Sequence, residues 1–107
     1  MDAALRAIAE PRRREILDLV RTRERAAGEI AAQFDVSRPA ISQHLAVLED
    51  AGLVSARRDG NRRLYRARPE GLAELREYLD GFWTTHLANL KDAAEHEQRR
   101  RRGRRNR

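Results

Sequence analysis

Four polar side chains lie close together in one short segment, and their chemical types suit hydrogen bonding to nucleic-acid bases. They are Arg38, Ser42, Gln43 and His44. Each is a short or forked donor of the kind that reaches base edges in the major groove of double-stranded DNA. Taken singly, Ser42, Gln43 or His44 has the less favoured alternative of a solvated surface residue, and His44 that of a packing residue beside Leu48. As a set, they predict that the chain binds DNA.

The segment that carries these side chains has the signals of a helix with one buried face. Ser37 can accept a hydrogen bond at the helix N-terminus, and Pro39 fits the first turn, where its missing N–H costs nothing. Gly52 supplies a left-handed stop. The apolar stripe at helical spacing consists of Ile41, Leu45 and Leu48. A polar outer face over such a stripe is typical of a recognition helix. Its predicted DNA contacts are Ser37, Arg38, Pro39, Ser42, Gln43 and His44, with Ser37 and the first backbone amides at a phosphate.

A second candidate for DNA contact is a β-hairpin directly after this helix. Residues 53–58 and 63–68 alternate in polarity and flank an Asp59-Gly60 turn signal. Arginines cluster at the hairpin tip, where they favour phosphate or minor-groove contact, the alternative being that they keep an edge strand soluble. The predicted contacts are Arg57, Arg58, Asn61, Arg62 and Arg63. We interpret this hairpin as the wing of a winged helix.

Three shorter helices precede the recognition helix. The first runs from Asp2, its predicted cap, to Ala9, with Leu5 and Ile8 facing inward. The second begins at Pro11 and buries Ile16, Leu17 and Val20. Its first-turn arginines, residues 12–14, either pair with neighbouring acids or contact phosphate. The third spans 27–34 with Ile30, Ala31 and Phe34 inward, and with the recognition helix it forms a helix-turn-helix.

The last helix is predicted from Pro69 to about Glu97, and its apolar stripe needs a partner. Large side chains such as Trp83 are costly to leave in water, and a second copy of the chain is the simplest cover. A ligand pocket is the less favoured alternative. The predicted dimer contacts are Leu5 and Ile8 with Leu72, Leu75, Leu79, Phe82, Trp83, Leu87 and Leu90.

Charge is polarised along the chain, whose net charge is +6. Residues 1–68 hold 14 basic against 10 acidic side chains, whereas residues 69–98 hold two against seven. Residues 99–107 contain seven arginines and no acid. The basic N-terminal part of the chain, residues 1–68, suits a nucleic-acid partner. We predict one winged-helix domain over 1–97 and a disordered arginine-rich tail over 98–107, which is a solvated run, a nonspecific DNA arm or a site for an acidic partner.

Composition limits the other classes of function. The 107 residues contain no cysteine, so disulfides and thiolate metal sites are excluded. No apolar segment approaches the length of a membrane span, which favours a cytoplasmic protein without a membrane partner. There is no glycine-rich phosphate loop, and the spacing of the three histidines supports no serine–base arrangement. We therefore predict neither an enzyme nor a bound cofactor.

The order of these elements resembles the ArsR family of winged-helix repressors. The resemblance rests on linked motifs: residues 11–17, 29–31, 36–45, 48–54 and 58–65. It implies a mainly α fold with a β-hairpin wing, in the order α-α-α-α-β-β-α. It also implies a homodimer through the first and last helices that binds an imperfect inverted repeat and represses transcription. The Phe82-Trp83 pair with Leu87 and Leu90 looks like the family's metal-independent, autorepressor-like branch.

Members of this family that sense metal through the last helix place two histidines eleven residues apart. Here His86 and His96 are ten apart, which rotates them by about 80° on an ideal helix. Thr84 stands where an aspartate would be expected, and Glu97 is the residue eleven from His86. We therefore predict no metal. The alternatives left open are a metal- or ligand-responsive repressor, whose effector the sequence does not identify, and a nonspecific nucleoid-type protein.

Overall fold

Across residues 1–105, whose backbone the computed structural model describes, the chain forms five helices and three strands; side chains are described for residues 1–100. The elements are α1 (Asp2–Ala9), α2 (Pro11–Thr22), β1 (Arg25–Ala26), α3 (Ala27–Ala31), α4 (Arg38–Asp50), β2 (Val54–Asp59), β3 (Arg62–Ala67) and α5 (Pro69–Arg105). They form an N-terminal unit, Met1–Leu75, and a C-terminal unit that begins at Arg76 within α5. The mainly helical fold with a hairpin wing is confirmed.

The first two helices begin differently from one another. The α2 helix has the expected Pro11 in its first turn, and the Glu10 carboxylate before it accepts a hydrogen bond from the Arg12 N–H at 3.2 Å. The α1 helix has Met1 at its cap position and no side-chain cap. Asp2 as a cap is therefore wrong. The helix already includes it, and its carboxylate lies in the first turn near the positive end of the helix dipole.

The inward faces of these helices are narrower than predicted. In α1 the buried residues are Ala4 and Ala7, while Leu5 and Ile8 are half-buried. In α2, Ile16 and Val20 are buried and Leu17 is half-buried. The small alanines let α1 lie close to its neighbours, and this leaves its larger side chains partly uncovered.

The region between α2 and α4 also departs from the prediction. The α3 helix ends at Ala31 instead of residue 34, because Gln33 and Phe34 donate N–H bonds three residues back, which tightens the chain into turns. Strand β1 was missed. Its two residues pair with Tyr65 and Leu64 of β3, and so short a strand has no periodicity that sequence reasoning can detect.

The sheet has the order β1-β3-β2, with β2 and β3 forming the predicted hairpin. Its strands end closer to the tip than predicted, since Asp59 pairs with Arg62 and leaves a two-residue turn of Gly60 and Asn61. Gly60 has φ +64°, and positive φ at the first turn residue alone is the pattern of a type II′ hairpin turn.

The core of the N-terminal unit is apolar throughout, with no buried polar side chain among the described residues. Its fully buried large side chains are Ile16, Val20, Ile30, Ile41, Leu45, Leu48, Leu53 and Val54. The start of α5 closes against this unit at Gly71, where a Cβ would lie 2.0 Å from the Gly52 carbonyl oxygen. Leu75 is buried in a single chain, so it differs from the other predicted dimer contacts in having little surface left for a partner.

The C-terminal unit consists of the remainder of α5, which stays helical to Arg105 although the sequence predicts disorder from residue 98. Arginine is a good helix former, and Arg99 and Arg100 pair with Glu95 and Glu97 one turn earlier. Residues 106 and 107 of the predicted tail lie outside the described residues. In the described part of the chain, no helix is both long and apolar enough to span a membrane.

Candidate nucleic-acid interface

The outer face of α4 is presented by a well-formed helix start. The Ser37 hydroxyl accepts a hydrogen bond from the Ala40 N–H at 3.2 Å, and Pro39 lies in the first turn. Ile41, Leu45 and Leu48 have no exposed surface and hold the opposite face against the core. Because that inner face is fixed, the direction of the outer face is fixed as well.

Arg38, Ser42 and Gln43 are exposed on that outer face. None of the three makes a side-chain hydrogen bond or ion pair with another described residue. Their donors and acceptors are therefore available to an external partner. Ser37 and Pro39, at the start of the same helix, are also exposed.

His44 lies differently from these neighbours. It is half-buried, and its Nδ1 lies 3.3 Å from Nη1 of Arg13 on α2. A guanidinium can only donate, so Nδ1 accepts and the proton of the neutral ring is on Nε2. The contact supports a packing role for His44, and only the Nε2 side of the ring is left for DNA.

The three consecutive arginines of α2 have internal partners. Arg13 donates from Nε to the Ala7 carbonyl at 2.7 Å and from Nη2 to the Arg6 carbonyl at 3.0 Å. Arg14 donates to the Ile8 carbonyl at 2.7 Å. These bonds satisfy carbonyls that the end of α1 leaves unpaired. Arg12 lies 5.0 Å above the Phe34 ring. Structural contacts thus account for all three side chains.

A cleft of about 350 Å³ lies where the start of α4 meets the tip of the hairpin. Its polar lining comes from Glu29, Arg38, Asn61, Arg62 and Arg63. The Arg38 guanidinium packs beside Gly28, where a Cβ would be 3.4 Å from Nη2. The fold thus brings predicted contacts of the recognition helix and of the wing to one place.

Three of the predicted wing arginines are paired with carboxylates, which sequence reasoning missed. Arg57 binds both oxygens of Glu24, at 2.6 and 2.8 Å, and Arg63 lies 3.0 Å from both oxygens of Glu49. Arg62 pairs with Glu29. The Arg57 hydrogen bond lowers the pKa of Glu24 and, reciprocally, raises the pKa of Arg57. These partners are 14 or 33 residues apart in sequence, so no local pattern reveals them.

Two wing residues remain without such a partner. Arg58 and Asn61 are exposed, and neither forms a side-chain hydrogen bond or ion pair within the described chain. Arg58 is therefore the predicted wing cation whose charge is not balanced by a bound carboxylate in the part of the chain that the structure describes.

Comparison with known proteins shows the family to which the chain belongs. Residues 10–56, which run from the α2 cap into β2, match the arsR family of bacterial regulatory proteins. The HTH-type transcriptional regulator Rv2034 of Mycobacterium tuberculosis is 45% identical over 96 residues, 90% of this chain and 90% of that protein. The chain belongs to the ArsR family.

Further relatives agree with the family assignment. The transcriptional repressor SdpR of Bacillus subtilis is 43% identical over 60 residues, which are 56% of this chain and 67% of that protein. The solution structure of the homodimeric winged helix-turn-helix domain of a possible ArsR-family regulator from Mycobacterium bovis superposes with a TM-score of 0.64 at 36% identity, covering 80% of each chain. This ArsR-family chain is a DNA-binding transcriptional repressor and not an enzyme, as predicted.

The histidines of α5 in this ArsR-family protein make contacts within their own helix. His86 stacks on Phe82, with ring centroids 3.9 Å apart, and donates from Nδ1 to the Phe82 carbonyl at 2.9 Å. No group of three or more His, Asp or Glu side chains that could hold a metal ion is found among the described residues. The absence of a metal remains a prediction for this family member.

Proposed function

We propose that this repressor binds an imperfect inverted repeat as a homodimer, independently of metal, and that it represses its own gene in the cytoplasm. The observation that carries the proposal is the exposed, unpaired outer face of α4 beside the cleft. Phosphate contacts position a protein on DNA, and side chains on such a face read sequence. Ser42 and Gln43 are the proposed base contacts, and Ser37 with the first amides of α4 is the proposed phosphate contact.

The apolar stripe of α5 supports the dimer. Its largest side chains are exposed on a single chain: Tyr78, Phe82, Trp83, Leu87 and Leu90. A contiguous exposed apolar surface of this kind marks an interaction site. The relative described as homodimeric favours a second copy of this chain as the occupant. Leu5 and Ile8 on α1, and Leu72 and Leu79 on α5, are half-buried and remain proposed contacts.

Tyr78 and Gly81 belong to this surface and were not among the dimer contacts predicted from the sequence. Tyr78 lies with Phe82 and His86 along an open apolar groove of about 510 Å³, which Gly81 also lines. A Cβ at Gly81 would meet nothing within 4 Å, so the glycine leaves space for a partner to approach the helix backbone. Tyr78 precedes Phe82 by one helical turn, and this spacing is the signal that could have identified it.

A dimer gives the proposed operator its symmetry. Two recognition helices related by a twofold axis read two half-sites about 34–36 Å apart, which is one turn of DNA. The operator is then a near-palindrome. Footprinting on the DNA upstream of the protein's own gene, with added zinc and with a chelator, tests the whole proposal. We expect a protected inverted repeat that is indifferent to metal, whereas a footprint that zinc abolishes would implicate His86, His96 and Glu97.

Two substitutions separate base reading from backbone contact. Gln43→Ala should cost about 1–3 kcal/mol on a duplex that the wild-type protein selects from a random pool, and much less on a scrambled duplex. Arg58→Ala is the matched control and should weaken both complexes alike. Fluorescence anisotropy on the two duplexes measures the difference. Equal losses for Gln43→Ala would remove this side chain from base readout.

The seven arginines of residues 99–107 support a second candidate, nonspecific coating of DNA. Under that mechanism every duplex binds with similar affinity and no repeat is protected. Deleting residues 99–107 should then flatten the salt dependence of binding by ~0.9 in log–log slope for each phosphate that the arginines neutralise in the full chain. An unchanged slope together with a discrete footprint would exclude this candidate.

A further inference from the structure

Three carboxylates that lie outside the hairpin form ion pairs with three of the wing arginines. Glu24 precedes β1, Glu29 lies on α3 and Glu49 lies on α4, so each comes from a different element. Their partners on the hairpin are Arg57, Arg62 and Arg63, and Glu29 also lies 3.8 Å from Nη2 of Arg23. Three ion pairs therefore connect the wing to the rest of the N-terminal unit.

The arginines in these pairs are still accessible. The side chains of Arg57, Arg62 and Arg63 are 59%, 58% and 58% exposed. A polyanion that approaches the wing therefore meets cations that are on the surface but already hold an anion. Arg62 and Arg63 also line the cleft beside Arg38, where wing and recognition helix meet.

The bound carboxylates use the hydrogen-bonding positions that a phosphate would use. Glu24 accepts bonds from Nε and Nη2 of Arg57, which is the forked geometry with which a guanidinium also holds phosphate oxygens. One guanidinium edge cannot hold both anions in that way. For Arg57, contact with DNA through this edge therefore requires the carboxylate to be exchanged for a phosphate. A phosphate that binds Nη2 of Arg62 or Arg63 competes with Glu29 or Glu49 for that group.

We propose that Glu24, Glu29 and Glu49 are internal competitors for DNA phosphate that set the sequence-independent part of the affinity. This inference rests on the proposed function. When a DNA phosphate replaces a carboxylate on an arginine, the freed glutamate takes up a cation from solution. This uptake offsets one of the cations that the DNA releases when it binds. The paired arginines therefore contribute less affinity and less salt dependence than free arginines would. The base contacts of α4 lie outside this exchange.

Glutamine variants test the proposal with little change in shape. Gln keeps an acceptor at each site, including position 29, where the carboxylate also accepts a bond from the Ala26 N–H at 3.3 Å. The matched control is Asp18→Asn, which makes the same charge change in an exposed pair with Arg21 on α2. Thermal unfolding followed by circular dichroism establishes that the variants are folded. The probes are the duplex selected by the wild-type protein and its scrambled counterpart.

Each of Glu24→Gln, Glu29→Gln and Glu49→Gln should tighten binding to both duplexes by about two- to fivefold relative to Asp18→Asn, the range expected for an exposed ion pair. The salt dependence should steepen by up to ~0.9 in log–log slope for each glutamate removed. Binding equal to that of the control, or weaker than wild type, would overturn the proposal. Weaker binding would mean that the glutamates position the arginines for DNA.

A double-mutant cycle makes the test site-specific. Arg62→Gln should cost more affinity in the Glu29→Gln background than in the wild-type background, because Arg62 has no carboxylate to exchange there. Equal costs in the two backgrounds would overturn the competition at this site. If the wild-type protein binds its selected duplex and the variants match the control, this inference alone fails. If neither wild-type nor variant protein binds any duplex, the proposed function fails as well.

Discussion

The N-terminal unit buries its large apolar side chains, whereas the part of α5 that follows Leu75 leaves its large apolar side chains exposed. In the first, eight large side chains have less than 2% of their surface exposed and no polar side chain is buried. In the second, Trp83 and Leu90 leave 56% and 64% of their surface in water. A single chain therefore buries the core of its N-terminal unit by itself but leaves the apolar side chains of the long helix α5 uncovered. Substitutions in the two regions should differ in whether protein concentration matters.

The strongest effect should be a loss of folding in the N-terminal unit. Leu45→Ala leaves a cavity beneath the recognition helix and should lower the free energy of unfolding by about 2–5 kcal/mol. Denaturation in urea, repeated at several protein concentrations, measures it. Leu90→Ala is the control, because Leu90 is exposed on the single chain and should affect stability only through association. Equal, concentration-independent losses would contradict the contrast between the regions.

The next effect belongs to α5. Trp83→Ala should weaken self-association by about 2 kcal/mol or more, roughly 30-fold, since buried aromatic anchors dominate interfaces. Sedimentation velocity over a range of concentrations measures the dissociation constant. Lys91→Ala on the same helix is the polar control. A dissociation constant unchanged by Trp83→Ala would mean that the apolar stripe is not where the two copies meet.

Two glycines of the same helix test the contrast at single positions. Gly71→Ala places a Cβ 2.0 Å from the Gly52 carbonyl oxygen, so it should cost about 1–3 kcal/mol of unfolding free energy whatever the concentration. Gly81→Ala meets nothing in a single chain and should raise helix stability by about 0.5–1 kcal/mol. Weaker self-association of Gly81→Ala would show that a partner occupies the open space. Equal behaviour of the two variants would refute the distinction.

The same contrast explains which features could be predicted from the sequence. The helical spacing of Ile41, Leu45 and Leu48 predicts a buried stripe. The two ends of the helix are predicted by the capping hydroxyl of Ser37 and by the conformational freedom of Gly52. Each signal is contained within a few residues. The ion pair between Arg57 and Glu24 spans 33 residues and depends on how β2 lies beside the chain before β1, so no local pattern contains it. The same holds for Leu75, whose burial depends on tertiary packing.

The weakest effect concerns charge pairs in the two regions. Glu24 pairs across the fold with Arg57, whereas Asp80 of α5 pairs with Arg76 within one helical turn, at 3.8 Å. The pKa of Glu24 is lowered from 4.5, so its pair stabilises the folded state above that pH, and the stabilisation is lost as pH falls through the depressed value. Between neutral pH and pH below 4.5, Glu24→Gln should therefore lose less stability than wild type. Urea denaturation as a function of pH measures this, and parallel curves for wild type and Glu24→Gln would mean that the pair adds nothing to folding. In that event the Glu24 carboxylate could be exchanged for phosphate without a folding cost, which would make the wing easier for DNA to capture.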